Sequence, residues 1–328
     1  MATPAVPSAW LDQHYAAPQT LVKIRRRRRL NLLIAGDGAP TVIFAPGMAA
    51  TSLDWARVQH VVARENRTVA FDKAGIGFSD PGPLPRTASA IVEDLRAGLT
   101  AADIAPPYVL VGHSSGGLQM RLFAFRYPED IVGMVMVDSS SEHQYQRFAD
   151  ALGDHETERT LRANLLRTYS RLVRLARMGA LAPGTADYVR AVGLPSPALT
   201  PAVNAARAAQ RASSAYWRAI SSEAAAMYGR RGSSVSSDEL AAARRPLGDM
   251  PMIVLTAGRN SPQPRPGETA PAAEARRQLW RAMHDEIAAL STRGERRTVG
   301  DAGHAIQLER PEVVIAAIEE VITMARGG

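Results

Sequence analysis

The sequence predicts an α/β protein whose core is a mostly parallel sheet flanked by helices. Short β-prone apolar runs alternate with helix-like stretches along most of the chain, the pattern of strand–crossover–strand units. One of these runs, "YVLVGH", passes through a glycine-rich bend straight into a helix pattern. The alternation breaks once, between Asp138 and Met252, where a long Ala-, Arg- and Leu-rich stretch contains no convincing strand. A chain of 328 residues, 46% hydrophobic and 22% charged, suits one large core with an insertion better than two independent domains.

Taken in order, residues 1–20 read as an N-terminal arm: "MATPAVPSAWLDQHYAAPQ" has no basic start and is interrupted by three prolines, so it does not read as a secretory signal. The run Arg25–Arg29 has apolar, β-prone flanks and reads as a charged hairpin at a sheet edge rather than a targeting or nucleic-acid patch. Strands are expected at 41–47, 67–72, 108–113, 131–138, 252–258 and 296–301, with helices near 87–103, 116–127, 271–291 and 311–326. Residues 141–249 read as several helices with breaks at 182–200 and 229–237, inserted into a core made of residues 21–140 and 250–328.

Composition narrows the function. The formal charge of +7 would favour phosphate-bearing partners, but among 39 basic residues only Lys23 and Lys73 are lysines, and the arginines are scattered among carboxylates. Neither nucleic acid nor membrane is therefore expected as a partner, and no run approaches the ~18 apolar residues of a membrane helix. The chain has no cysteine, which removes disulfides, thiolate metal sites and a thiol nucleophile. No pair of histidines stands at metal-binding spacing and no Gly-rich nucleotide loop is present, so neither metal nor cofactor is expected. A cytoplasmic monomer or homodimer is the default expectation.

The bend carries the chemistry. In Gly112-His113-Ser114-Ser115-Gly116, between strand and helix, only Ser114 has glycine both two before and two after it, as a nucleophile on a tight turn requires. Ser115 fails that register, but its backbone N–H opens the following helix and would face a developing oxyanion. His113 lies inside the bend and reads as a structural hydrogen-bonder. Of the seven histidines, His304 in "GDAGHAIQLERP" follows the last expected strand.

Together with "FAPGMAATSLDW", "FDKAGIGFSDPGP" and "GDAGHAIQLERPEVV", this bend resembles the α/β-hydrolase fold, in its capped esterase, lactonase and dehalogenase-like form. The resemblance covers about residues 20–140 and 250–328. It implies that the helical insertion is a cap between strands 6 and 7. It also implies that the N–H of Met48 in Pro46-Gly47-Met48 is the second oxyanion donor, although this loop lacks the family's histidine before the glycine. The family's usual acid position, after "MIVLTAG", holds Asn260 and no carboxylate before Glu268. Dehalogenase-like relatives place the acid after the preceding strand, which points to Asp138, with Glu142 and Glu268 as reserves.

The expected function is a serine hydrolase acting through an acyl-enzyme on Ser114, with His304 as base, Asp138 as acid, and the Met48 and Ser115 N–H groups as oxyanion hole. The substrate expected from the Ala, Leu, Met, Tyr and Trp content of the insertion is a small to medium apolar ester or lactone. Serine at the bend argues against dehalogenase or epoxide hydrolase chemistry, which needs a carboxylate there. The same triad acting on a C–C bond or an amide, or in perhydrolysis, is the first alternative, and a non-catalytic binding protein the second.

Overall fold

The computed structural model describes residues 5–181, 183–229, 234–259, 261, 262, 265 and 267–327. The chain opens with helix α1 (Ser8–Tyr15), which starts immediately after Pro7. Strands β1 (Thr20–Lys23) and β2 (Arg29–Ala35) then form the expected antiparallel edge hairpin, turned by a short 3-10 segment at Arg25–Arg27. Three arginines of the basic run are paired in place: Arg28 reaches inward to both oxygens of Asp94, Arg29 pairs with Asp80, and Arg25 lies 3.6 Å from Glu93.

The core continues as β3 (Thr41–Ala45), α2 (Ala56–Val62), β4 (Thr68–Phe71), α3 (Ala88–Ala101), β5 (Tyr108–His113), α4 (Ser115–Arg126) and β6 (Ile131–Val137). Between β6 and the next strand come α5 (Gln144–Leu152), α6 (His155–Arg177), α7 (Ala186–Val192), α8 (Pro201–Ala212), α9 (Ser214–Tyr228) and α10 (Val235–Ala243). The chain then completes the core with β7 (Met252–Ala257), α11 (Ala270–Ala288), β8 (Gly294–Val299), α12 (Ile306–Glu309) and α13 (Pro311–Arg326). Among the described residues the sheet has eight strands in the order β1-β2-β4-β3-β5-β6-β7-β8, with β3 to β8 parallel to one another and β1 and β2 antiparallel to their neighbours.

Continuous apolar runs form the central strands because both faces are covered. Alternate residues go to opposite cores: Tyr108 and Leu110 of β5 join the layer with α3 and α4, whereas Val109 and Val111 join the layer with α2 and α13. Met134 and Met136 of β6 divide from Val135 and Val137 in the same way. This alternation leaves the strands' carboxyl ends free to carry loops, and in an open α/β sheet that edge is where ligands bind.

Two details differ from the sequence expectation. The arm contains α1, whose Leu11 and Tyr15 are buried in the second core layer, and Asp12 accepts a hydrogen bond from Thr200 of the insertion. The last strand lies two residues earlier than expected, at Gly294–Val299. Of the two expected breaks, the first contains α7 and the second overlaps the start of α10; residues 182 and 230–233 lie outside the described residues. Among the described residues no helix is long and apolar enough to cross a membrane.

Candidate active site

Ser114 sits between β5 and α4 with φ 52° and ψ −122°, a backbone region that a residue with a side chain enters only under constraint. The constraint is the tight strand-to-helix turn. A Cβ on Gly116 would lie 2.3 Å from the carbonyl oxygen of Ala45, and one on Gly112 would lie 2.6 Å from Cα of Gly117. The two glycines of the register are therefore steric requirements of the bend. Two N–H groups, from Gly117 at 3.0 Å and Ser140 at 2.9 Å, donate to the Ser114 carbonyl. The peptide leading into Ser115 is fixed by these bonds, and the Ser115 N–H, at the first turn of α4, has no acceptor among the described residues.

His304 follows β8, and its Nδ1 lies 2.6 Å from Oδ2 of Asp138, at the end of β6. Asp138 is fully buried with φ 41°. Its carboxylate accepts from the Ala257 N–H at 3.0 Å, from Trp280 Nε1 at 3.0 Å, and from the Ser261 hydroxyl. Burial alone would raise its pKa, but the hydrogen bond from His304, the electrostatic influence of the neighbouring His284 and His304 imidazoles and the Ser261 hydrogen bond outweigh that cost and draw it down to about 2. Asp138 is thus an anion aimed at one nitrogen of His304. The other face of the histidine loop is held by His113, whose Nε2 lies 2.9 Å from the His304 carbonyl oxygen. That bond makes Nε2 the donor, while burial drives the His113 pKa down to about 3 and keeps the ring neutral.

The reserve acids are engaged elsewhere. Glu142 binds the buried guanidinium of Arg121 at 2.7 Å, and Glu268 takes both Nε and Nη2 of Arg276 at 2.7 Å. Neither carboxylate is hydrogen-bonded to His304. Asn260 lies outside the described residues.

Met48 follows β3 in the loop that faces the bend, and its N–H, like that of Ser115, has no acceptor among the described residues. The loop is anchored from below by Asp72, the aspartate of "FDKAGIGFSDPGP": its Oδ1 accepts from the Ser52 hydroxyl at 2.7 Å and from the Ser52 N–H at 3.1 Å. Ser114, Ser115, Met48 and His304 open into one cavity of about 370 Å³, roofed by Leu161 and Leu165 of α6 and by Met227 and Tyr228 of α9. The composition of the insertion predicts an apolar lining, yet Glu158, Arg162, Arg265 and Arg276 also reach the wall. Glu158 is bridged to Arg265. Among the described residues no cluster of three or more His, Asp or Glu side chains could hold a metal ion.

Residues 42–317 match the model of the alpha/beta hydrolase family. The chain belongs to that family. As an α/β hydrolase it is similar to the uncharacterized protein YqjL of Bacillus subtilis, with 24% identity over 96% of this chain and 93% of that protein. Several other curated relatives align over only 34% to 42% of this chain and 16% to 46% of their own length. Among solved structures, a candidate epoxide hydrolase of Pseudomonas aeruginosa superposes with a TM-score of 0.63 at 19% identity, covering 92% of this chain and 94% of that one. An esterase of Thermogutta terrifontis gives 0.58 at 18% identity, covering 93% and 98%. At such identities the likeness shows the α/β-hydrolase fold alone.

Sequence reasoning missed several residues around this site. Trp280 and Ser261 complete the shell of Asp138, and buried His284 bridges Thr256 and the Ser139 carbonyl beneath it. Their signals were weak, because an aromatic on a helix and a serine in a loop look like ordinary core and turn residues. Lys73 and Glu223 are a further pair, 150 residues apart in sequence and joined by a buried ion pair at 2.7 Å. A lysine, one of two in an arginine-rich chain, was the available hint.

Proposed function

We propose that this chain is a serine hydrolase that cleaves a carboxylic ester or lactone through an acyl-enzyme on Ser114. The observation that carries the reading is the short His304–Asp138 contact on the same cavity as Ser114, which is held in its strained turn. With Nδ1–H donating to Asp138, the His304 Nε2 lone pair is the available base. In the first half-reaction Ser114 Oγ attacks the carbonyl carbon and its proton passes to Nε2. The oxyanion is received by the N–H groups of Met48 and Ser115, and collapse expels the alcohol, which takes the proton from the imidazolium. Water then repeats the sequence to release the acid and restore Ser114. Asp138 remains ionised throughout and stabilises the imidazolium; its low pKa suits that task.

Residues 141–249 act in this reading as the cap over the core, supplying the roof of the cavity. The volume suits a small to medium substrate, and the mixed lining favours an ester that carries a polar group beside its apolar part. Serine at the bend is the wrong nucleophile for epoxide opening through an alkyl-enzyme ester, so the epoxide-hydrolase likeness is taken as one of fold. Labelling with a fluorophosphonate, followed by mass mapping, tests the reading. A single adduct on Ser114, absent in Ser114→Ala, is expected. Absence of labelling in the folded protein, together with no turnover of p-nitrophenyl esters, would overturn it.

A further inference from the structure

The Gly47–Met48 peptide has a carbonyl at one end and the Met48 N–H at the other. Lys73 Nζ lies 3.1 Å from that carbonyl oxygen, so a buried cation binds the same peptide whose N–H, on the cavity-lining Met48, has no acceptor among the described residues. Lys73 is held there by Glu223 of α9, whose Oε1 accepts from Lys73 Nζ at 2.7 Å, from the Ser115 hydroxyl at 3.0 Å and from Gln119 Nε2 at 3.0 Å. Both side chains of the pair are almost fully buried, at 2% and 3% exposure. One turn from the start of the same helix, the Tyr216 hydroxyl donates to the Ala49 carbonyl at 2.7 Å. The residues on either side of Met48 are thus tied to α9, and Ala49 itself has φ 62°.

We propose that Lys73, Glu223 and Tyr216 are positioning residues for the oxyanion hole: α9 of the insertion, acting through them, orients the loop that carries the Met48 N–H and polarises the Gly47–Met48 peptide. A charge-assisted hydrogen bond to a peptide carbonyl draws electron density toward oxygen and strengthens the N–H at the other end as a donor. The bond also resists a flip of the peptide plane, which would turn the carbonyl toward the developing oxyanion. This loop lacks the histidine that stands before its glycine in resembling sequences, and the lysine supplies a brace from a different strand end. The Ser114–Ser115 peptide is treated alike, its carbonyl held by the Gly117 and Ser140 N–H groups. Glu223 serves both donors, because it also fixes the Ser115 hydroxyl.

This inference rests on the serine-hydrolase reading, and the experiment separates the two. The double variant Lys73→Met with Glu223→Gln removes both buried charges, a change that cores tolerate better than loss of one partner. It keeps an acceptor for Ser115 and Gln119 while releasing the Gly47 carbonyl. Turnover of a p-nitrophenyl ester should fall on the order of 10²-fold in kcat with KM within about threefold, as expected for an interaction made mainly in the transition state. Binding of a trifluoromethyl ketone, which becomes a tetrahedral adduct on the serine, should weaken in parallel. Tyr216→Phe removes only the tie to Ala49 and should lower kcat by about fivefold to tenfold without moving the melting temperature, so the test survives if the double variant does not fold. A folded double variant with wild-type kcat, or one whose loss lies in KM alone, would overturn the proposal, as would unchanged turnover in Tyr216→Phe should the double variant not fold. Wild-type protein that takes no fluorophosphonate would instead overturn the serine-hydrolase reading itself.

Discussion

Two adjacent serines at one turn differ because only one occupies the strained backbone position, and the proposed reading gives them different tasks. Both line the cavity, but the Ser115 hydroxyl is engaged by Glu223 at 3.0 Å. Ser114→Ala is expected to lower kcat by at least about 10⁴-fold, while Ser115→Ala should cost no more than about tenfold, since it removes one of three donors to a buried carboxylate. Steady-state kinetics on both variants checks this, and equal losses would contradict the assignment. For the acid, Asp138→Asn should cost on the order of 10⁴ in kcat, because an amide neither stabilises the imidazolium nor reliably accepts from Nδ1. Glu268→Gln should leave kcat within about threefold, since its partner is Arg276 and not the imidazole. If Glu268→Gln proves the crippling change, the acid has been misassigned.

At the scale of elements, the site is a product of the strand ends. The ends of β3, β5, β6 and β8 lead to the Met48 loop, the bend, Asp138 and the His304 loop, and the sheet's order brings residues separated by up to 256 positions together. Gly116→Ala should be severely destabilising, because its Cβ would meet the Ala45 carbonyl at 2.3 Å and the chain around β3 and β5 has no slack. Thermal unfolding by circular dichroism should show a fall of several degrees or failure to fold. Much of this scaffold is legible in the sequence, since two-sided burial writes continuous apolar runs and the bend writes its glycines. The shell of Asp138 is not legible in the same way. Trp280 and Ser261 reach it from α11 and a loop more than 120 residues downstream, and only tertiary packing selects them. Short helices such as α2 and α12 escape for another reason: they are too brief to show a period.

For the molecule as a whole, buried titratable groups set how stability varies with pH. His113 has its pKa driven by burial to about 3, and His284 is lowered by the same cause. In the unfolded chain both titrate near 6.5, so below that pH the unfolded state binds protons that the folded state refuses, for His113 down to about pH 3. Through these two imidazoles stability should fall as pH drops below ~6.5, by up to about 1.4 kcal/mol per pH unit for each, whereas Asp54, raised by burial to about 6, acts with the opposite sign between pH ~6 and ~3.8. Asp138, lowered from 3.8 to about 2, adds its own loss only below pH ~3.8. Urea midpoints measured from pH 7.5 to 4.5 should lose more in the wild type than in His113→Asn, which should be weaker at pH 7.5 yet less sensitive to acid. Equal pH dependence in the two proteins would contradict neutral burial of His113.

The link between α9 and the loop after β3 also bears on how such proteins can be recombined. Insertions between β6 and β7 look like interchangeable parts, suited to grafting between hydrolases to change substrate range. Here a graft that brought in a foreign α9 without a counterpart of Glu223 would strand the ammonium of Lys73 inside the core. Chimeras built on this scaffold should therefore either carry a carboxylate at that helical position or replace Lys73 at the same time, and libraries that ignore the pair should be dominated by inactive or unfolded members.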